Sequence, residues 1–326
     1  MEVFHSENPL QGAEALFLKG CRLQQGDGVP RDPDAAVRCY WEAAAAGHLG
    51  AQLALAKCRQ LGDGLPWDVP AAIQTYQALS DGGYCPAIRA LADCYLKGIG
   101  VQKCLRTAQE LYQQAGRLGD TEALNILAGA YLRGDPFPAD HRQAFLLYHQ
   151  SAEAGDAVGA YELGECYRNG TGTVRNDTQA ASWFAKAAEA GYSLAMFALG
   201  SCYLDGAGVA EDVRLALSWY QKAAETKMPM AAAMARATTV LLPAGERACS
   251  AALEAALSWL MLLAHSGEAA AAYLLARFYA EGICVDADAQ LAFSWYDAAA
   301  RLGSKPAARA LTDANGNTGN ASDDAT

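Results

Sequence analysis

Apolar residues recur along most of the chain at the spacing of amphipathic helices, in pairs of short segments separated by glycines. The unit over residues 159–191 is the clearest example. Its first segment carries one apolar face, formed by Ala160, Leu163, Gly164 and Tyr167, and its second carries another, formed by Ala180, Trp183, Phe184, Ala187 and Ala188. The glycines between the two segments end the first helix. No stretch alternates apolar and polar residues as a strand would, so the pattern predicts helical hairpins and no sheet.

This hairpin unit recurs with a period of 36 residues. Glycines and aromatic residues both follow the period, as Gly26, Gly62, Gly98, Gly134, Gly170 and Gly206, and as Tyr40, Tyr76, Tyr112, Tyr148, Phe184 and Tyr220. After residue 220 the register shifts by four residues and resumes at Gly267. One helix pair cannot bury both of its faces, so neighbouring pairs must stack. We predict an all-α fold, an α/α superhelical solenoid of about eight 36-residue helix-turn-helix repeats.

Two further repeat positions have a clear structural role. Short polar residues stand just before the second helix of most repeats, where they can accept a hydrogen bond from an open N–H group of that helix: Asp32, Asp68, Asp140, Asn176, Asp212 and Asp288. Small residues on the first helix allow two helix backbones to approach closely: Ala92, Ala128, Gly164 and Gly200. The large aromatic residues are expected to fill the remaining space.

The repeat pattern divides the chain into six segments. These are an N-terminal lead-in (1–12), six regular repeats (13–226), a degenerate seventh repeat with an insertion (227–266), an eighth repeat (267–303), a capping helix (304–312) and a polar tail predicted to be disordered (313–326). The degenerate repeat lacks the glycine-rich turn and contains Met228, Met230 and Met234. Drift within a packed array explains this segment, and the alternative is an adaptable methionine-rich binding surface.

The repeat resembles that of the Sel-like (Sel-one) repeat family, a relative of the tetratricopeptide repeats. The family pattern is a helix ending in L-G-x-x-Y, then G-x-G-V-x-x-D, then A-x-x-W-Y-x-x-A-A-x-x-G. It stands here as Leu199, Gly200, Tyr203, Gly206, Gly208, Val209, Asp212, Ala216, Trp219, Tyr220, Ala223 and Ala224. The resemblance implies a scaffold or adaptor in signalling, host contact or envelope assembly, often in bacteria. A cysteine-rich secreted branch of the family carries a regular cysteine pair in each repeat, and some of its members are described as binding or hydrolysing β-lactams.

Charge narrows the class of partner. The chain has 25 basic and 36 acidic residues and a net charge of -11. Nucleic acids and anionic lipid surfaces both need a dense basic surface, so a basic protein or peptide is the favoured partner. No segment has the roughly 18 uninterrupted apolar residues of a membrane span, and the N-terminus lacks the regions of a secretory signal. We therefore expect a cytoplasmic protein without membrane insertion.

No catalytic, metal or cofactor site is predicted. The five histidines lack metal-ligand spacing, and the motifs C-x-x-C, G-x-S-x-G and G-x-x-x-x-G-K-[ST] are absent. Four of the ten cysteines share one repeat position: Cys58, Cys94, Cys166 and Cys202. Neighbouring repeats place them about 10 Å apart, which is farther than a disulfide allows. Buried, reduced thiols with a packing role are expected, as in a cytoplasmic protein.

The concave side of a helical array is its usual binding surface, and by analogy with related folds we place the first helix of each pair there. The predicted partner-contacting residues on these helices are Arg89, Asp93, Asn125, Tyr161, Glu165, Phe197, Ser201 and Tyr273. Aromatic residues mixed with Arg and Asn are typical of interfaces, and the alternative is that the rings only pack between helices. Trp67 occupies a loop position held by Arg31 and Lys103 in other repeats. It either anchors a partner or lies over its own hairpin.

These features favour a non-enzymatic scaffold or adaptor that holds a protein or peptide in its groove, in bacterial signalling, regulation or assembly of a complex. One alternative is a secreted effector that acts on host proteins. Another is an enzyme that binds or hydrolyses β-lactams, like the cysteine-rich relatives. The enzyme would need an exported chain and a nucleophile with an activating base, and the sequence shows no motif for either.

Overall fold

The computed structural model describes residues 9–242 and 250–319, and these ranges contain helices and turns but no strand. The predicted all-α solenoid is therefore confirmed. The helices alternate as first and second members of successive hairpins: α1 (Pro9–Gln25), α2 (Pro33–Ala45), α3 (Leu49–Leu61), α4 (Val69–Asp81), α5 (Cys85–Lys97), α6 (Leu105–Arg117), α7 (Thr121–Arg133), α8 (His141–Glu153), α9 (Ala157–Asn169), α10 (Asp177–Glu189), α11 (Ser193–Asp205), α12 (Val213–Glu225), α13 (Pro229–Thr239), α14 (Ala251–His265), α15 (Ala269–Glu281), α16 (Ala289–Arg301) and α17 (Lys305–Gly319).

The chain forms two compact units, which divide between Leu147 and Tyr148. The first unit contains α1 to α7 and the second contains α9 to α17, with α8 at the division. Within each unit the hairpin aromatics form the interior. Tyr40 and Tyr76 in the first unit and Phe184 and Tyr220 in the second are at most 1% exposed.

The buried aromatics pack where the first helix of the same hairpin has a glycine. A Cβ atom at Gly20, Gly164 or Gly200 would come within 2.5, 2.6 and 2.8 Å of the rings of Tyr40, Phe184 and Tyr220. These glycines therefore set the distance between the two helices of a hairpin. The prediction that Gly164 and Gly200 allow close helix approach is confirmed.

In two turns the second glycine lies directly against the backbone of the preceding hairpin. Gly64 and Gly208 have positive φ angles of 72° and 74°, a conformation that favours glycine. A Cβ atom at Gly64 would lie 2.6 Å from the carbonyl oxygen of Pro33, and one at Gly208 would overlap the carbonyl oxygen of Asp177. Pro33 and Asp177 each begin the second helix of the preceding hairpin. The turn thus rests directly on the backbone of its neighbour.

Short polar residues cap the second helices as predicted. The side chains of Asp32, Asp68, Asp140, Asn176, Asp212 and Asp288 each accept a hydrogen bond from a backbone N–H of the first turn. At the equivalent position before α6, Cys104 has the same extended backbone, with φ -145° and ψ 100°, but its side chain caps no N–H group. One helix of the first unit therefore begins without the bond that its equivalents have.

Replacing Cys104 by aspartate is expected to stabilise the first unit by about 1 kcal/mol, the typical contribution of an N-cap side chain. The reason is that Cys104 already has the backbone conformation of the capping residues, so the carboxylate needs no rearrangement. Urea unfolding of Cys104→Asp and Cys104→Ala would measure the effect. The alanine variant is the control and should unfold near the midpoint of the natural chain. Equal midpoints for both variants would contradict the capping account.

The second unit ends differently from a regular array. The degenerate repeat is represented by the shorter α13 and by α14, and α11 contacts α15 beyond them. Lys305 Nζ donates a hydrogen bond to the Gly206 carbonyl oxygen at 2.5 Å, and Arg309 pairs with Glu211. The last repeats therefore fold back onto α11. Met234 is fully buried, while Met228 and Met230 pack against the same core.

Both predicted terminal segments extend partly outside the described residues. Helix α1 begins at Pro9, inside the predicted lead-in, and residues 1–8 are not described. The final helix α17 covers the predicted capping helix and continues to Gly319, into the segment expected to be disordered. Residues 320–326 of that tail are not described.

Candidate interaction surfaces and a charged cavity

The aromatic residues predicted to contact a partner pack over the second helix of their own hairpin. Ring centroids are 5.7 Å apart for Tyr161 and Phe184, and 5.5 Å apart for Phe197 and Tyr220. Tyr273 lies 6.1 Å from Tyr296 in the same arrangement. Phe197 and Tyr273 are only 8% and 9% exposed, whereas Tyr161 is half-buried. A partner-binding role stays a prediction for this set, and Tyr161 is its accessible aromatic member.

The predicted polar residues of the first unit are half-buried and take part in contacts within the chain. The Arg89 guanidinium lies 3.4 Å from an Asp120 carboxylate oxygen and also pairs with Glu122. The Tyr112 hydroxyl donates a hydrogen bond to Asp93. Asn125 lies on α7, one turn past Thr121, where the helix begins. These half-buried side chains lie on first helices. Their role in partner binding stays a prediction, and a partner would have to compete with or extend their internal contacts.

The predicted polar residues of the second unit are more deeply placed. Glu165 accepts a hydrogen bond from Arg168 at 2.8 Å, and burial raises the pKa of the Glu165 carboxyl despite the attraction of Arg168. Ser201 is 4% exposed, and its hydroxyl lies 3.0 Å from that of the buried Tyr220. Ser201 also lines a cavity that the sequence did not reveal.

Trp67 projects from its hairpin and does not lie over it. Its side chain is 71% exposed, as is that of Leu61 at the end of α3. Trp67 lies beside Gly62, the residue that follows Leu61. We call Trp67 and Leu61 the Trp67 patch. Tryptophan is enriched at the hot spots of binding interfaces.

The first unit carries a second exposed tryptophan that sequence analysis missed. Trp41 is 47% exposed, and the Arg59 guanidinium lies 5.3 Å from the centre of its ring. Trp41 and Arg59 line an open cavity of about 320 Å³ together with Leu55 and Thr75. The signal was present in the sequence: outside the degenerate repeat, the three other repeats that have a tryptophan at this point read Trp-Phe or Trp-Tyr, whereas Tyr40 precedes Trp41 here. The reversed order keeps an aromatic residue in the buried slot and leaves the tryptophan outside.

A cavity of about 410 Å³ lies inside the second unit, where the last repeats fold back. Its walls come from the ends of α9, α11 and α16, from the start of α10 with the turn before it, and from the turns that precede α15 and α17. The charged residues of its lining are Arg168, Arg175, Asp177, Asp205, Glu268 and Arg301. Asp205 is 6% exposed, and burial raises its pKa to about 8, with the negative charge of Glu268 acting in the same direction. Ser304 and Arg168 lower that pKa in part.

The cysteines differ from the prediction in two ways: Cys21, Cys85 and Cys104 are only half-buried, and Cys284 is not a free thiol. Cys58, Cys94, Cys166 and Cys202 are free and at most 5% exposed, and burial raises the pKa of the Cys94 thiol to about 11 and those of Cys166 and Cys202 to about 12. Such thiols are poor nucleophiles because almost none is ionised near neutral pH. Cys284, however, is disulfide-bonded, so the expectation of reduced thiols throughout was wrong.

The described part of the chain offers little for metal binding or membrane insertion. No group of three His, Cys, Asp or Glu side chains among residues 9–242 and 250–319 could hold a metal ion. Among the same residues, no helix has both the length and the apolar character needed to cross a bilayer.

Helical hairpins that repeat every 36 residues and pack against their neighbours place this chain in the class of α-solenoid repeat proteins. Within that class it belongs to the Sel1 repeat family. The family model matches residues 13–48, 50–84, 85–120, 121–156, 157–192, 193–225 and 269–304. Residues 226–268, which include the degenerate repeat, are not matched. Sel1 repeat proteins are generally scaffolds for protein interactions.

Two solved structures show the same fold. A protective antigen present in uropathogenic Escherichia coli strains is 27% identical, with a TM-score of 0.61 over 93% of this chain. This chain spans 66% of that protein's length. A Sel1 repeat protein from Oxalobacter formigenes is 29% identical, with a TM-score of 0.53 over 69% of this chain and 91% of its own. No curated protein matches the sequence.

Proposed function

We propose that this protein is a non-enzymatic scaffold or adaptor, and that its first unit binds a protein partner through the Trp67 patch. The observation that carries this proposal is the exposure of Trp67 and Leu61, each 71%. The surrounding hairpin buries its own aromatic residue, Tyr76, completely. Trp67 is therefore not needed to complete the interior, and it leaves a large apolar side chain in water.

Charge and accessible polar residues support the same proposal. The net charge of -11 favours a basic partner by electrostatic attraction. Arg89, Asp93 and Asn125 lie on first helices of the same unit and are half-buried, so a partner can reach them. We propose that they add polar contacts to the anchor provided by Trp67. The bacterial origin of both similar structures supports a role in bacterial signalling, regulation or complex assembly.

A double variant, Trp67→Ala with Leu61→Ala, is expected to weaken partner binding at least about thirtyfold, because hot-spot truncations cost about 2 kcal/mol or more. Affinity capture from the native cell with quantitative mass spectrometry would identify the partner. Titration of the purified partner would then measure the dissociation constant. The matched control is Val174→Ala, since Val174 is 84% exposed in a corresponding turn of the second unit. Equal affinity for both variants, with unchanged helicity, would refute the Trp67 patch as the anchor.

A secreted effector is the second candidate. Two observations favour it: Cys284 is disulfide-bonded, as is usual outside the reducing cytoplasm, and the similar Escherichia coli protein is a protective antigen. Fractionation of the native cell would decide. Recovery of the chain in the medium or periplasm supports the effector, and recovery in the cytoplasm supports the adaptor.

A further inference from the structure

We infer that the cavity of the second unit is a binding site for a cationic group, a guanidinium or a primary ammonium, held between Asp205 and Glu268. This goes beyond the proposed function, which places partner binding on the first unit. It rests on that function only in taking a basic side chain of a protein partner as one source of the cation. A free cationic metabolite is the other source.

The distribution of ion pairs around the cavity points to a cation. Each arginine in the lining already has a carboxylate partner. Arg168 lies 2.8 Å from Glu165, Arg175 lies 3.0 Å from Asp177, and Arg301 lies 2.6 Å from Asp297. Asp205 and Glu268 have no ion-pair partner within 4 Å among the described residues. The lining itself holds three arginines and three acidic residues. Because Arg168 and Arg301 pair with carboxylates outside the lining, Asp205 and Glu268 are left as the two lining carboxylates without an ion pair.

Asp205 is the group that most needs a donor. Its Oδ1 atom is buried and makes no hydrogen bond within the described part of the chain. The Ser304 hydroxyl is near enough to lower the pKa of Asp205, yet Ser304 Oγ also lacks a well-formed hydrogen bond. A buried polar atom without a partner is costly. An N–H donor entering the cavity would satisfy Asp205 Oδ1 directly.

The cavity has the size and access that such a ligand needs. Its volume of about 410 Å³ falls in the range of small-molecule sites. The side chains of Arg168 and Arg301 at its edge are 37% and 78% exposed, so the cavity communicates with solvent. The turn before α15 supplies Glu268 to the lining, and the turn before α17 supplies Leu302 and Gly303. A guanidinium or ammonium group can therefore enter from solvent and reach Asp205.

The burial of Asp205 makes the expected binding depend on pH. With a pKa of about 8 the free protein holds a proton on Asp205 at neutral pH. Burial is the main cause of this pKa, and Ser304 before α17, Glu268 before α15, Arg168 on α9 and Glu211 after α11 are the surrounding groups that adjust it. A bound cation favours the carboxylate and displaces that proton. Affinity should therefore rise with pH, by up to about tenfold per unit below the pKa of Asp205.

Two probe compounds distinguish a free cation from the side chain of a protein partner. Agmatine carries a guanidinium and an ammonium group without a carboxylate, and a capped Ala-Arg-Ala peptide carries the same guanidinium as a side chain. Isothermal titration of the full chain in two buffers of different ionisation enthalpy measures affinity and the protons released. We expect millimolar or tighter binding, release of a fraction of a proton near neutral pH, and at least tenfold weaker binding to Asp205→Asn. Agmatine binding alone identifies a free cation as the source, and peptide binding identifies a partner side chain.

Two further variants keep the test decisive. Glu268→Gln, at a half-exposed turn position, should weaken binding several-fold even if Asp205→Asn does not fold. Glu189→Gln removes an exposed carboxylate of α10 outside the lining and should leave binding unchanged. Failure of both probes to bind at millimolar concentration, or equal binding to the natural chain and Glu268→Gln, overturns the inference. Neither result bears on the Trp67 patch, which is tested on the first unit.

Discussion

Gly208→Ala is expected to lower the free energy of unfolding of the second unit by about 3 kcal/mol. The left-handed conformation of Gly208 costs an L-residue about 1–2 kcal/mol. The added Cβ atom would also overlap the carbonyl oxygen of Asp177, and overpacking of this kind costs about 1–3 kcal/mol. A backbone atom cannot move aside as a flexible side chain can. Urea unfolding followed by far-ultraviolet circular dichroism would measure the loss.

Gly28 provides the matched control for Gly208. It occupies the same repeat position with a φ of 67°, but a Cβ atom there would meet no heavy atom within 4 Å. The first hairpin has no described hairpin before it on which its turn could rest. Gly28→Ala should therefore show only the conformational cost, about 1–2 kcal/mol. If Gly28→Ala and Gly208→Ala lower the free energy of unfolding equally, the turn glycines do not join neighbouring hairpins.

Phe184→Ala is expected to destabilise the second unit by about 3–5 kcal/mol, as for other buried phenylalanines. Phe184 is fully buried, contacts the Tyr161 ring and fills the space that Gly164 leaves open. Its loss creates a cavity between both helices of the hairpin. Phe293→Ala on α16 is the control, since Phe293 is 50% exposed, and it should cost less than about 1 kcal/mol.

Thermal and urea unfolding of these two phenylalanine variants would separate an interior role from a surface role. A similarly small loss of unfolding free energy in both variants would contradict the assignment of the aromatic residues that recur every 36 positions to the interior. A similar large loss would show that residues of α16 lie deeper than the structure places them. Only the predicted difference fits a hairpin built around one buried ring.

The fold could be predicted because each repeat offers the same evidence again. Gly170, Phe184 and Asn176 have equivalents at a spacing of 36 residues, and local rules for helix ends and caps apply to each copy. The burial of Phe197 and Tyr273 was harder to predict. Their repeat position suits either packing or binding, and the choice depends on which ring of the second helix lies opposite.

The cavity could not be predicted from the repeat at all. Asp205 stands at a position where other repeats have an ordinary surface residue at the end of the first helix, such as Lys97, Arg133 or Asn169. It becomes buried only because the degenerate repeat lets α15 and α17 fold back onto α11. That contact joins residues about a hundred positions apart, and no local pattern encodes it. Trp67 could be singled out by contrast with its equivalents, but its exposure required the structure.

The cavity of the second unit exists only if the last repeats fold back onto α11 and enclose Asp205. The most direct test is the titration of the Asp205 carboxyl by carbon-detected nuclear magnetic resonance, with the Asp205→Asn variant to assign its signal. Enclosure predicts a pKa of about 8, because burial disfavours the carboxylate. A pKa near the ordinary aspartate value of 3.8 would mean that water reaches Asp205 freely and that the last repeats do not close over α11.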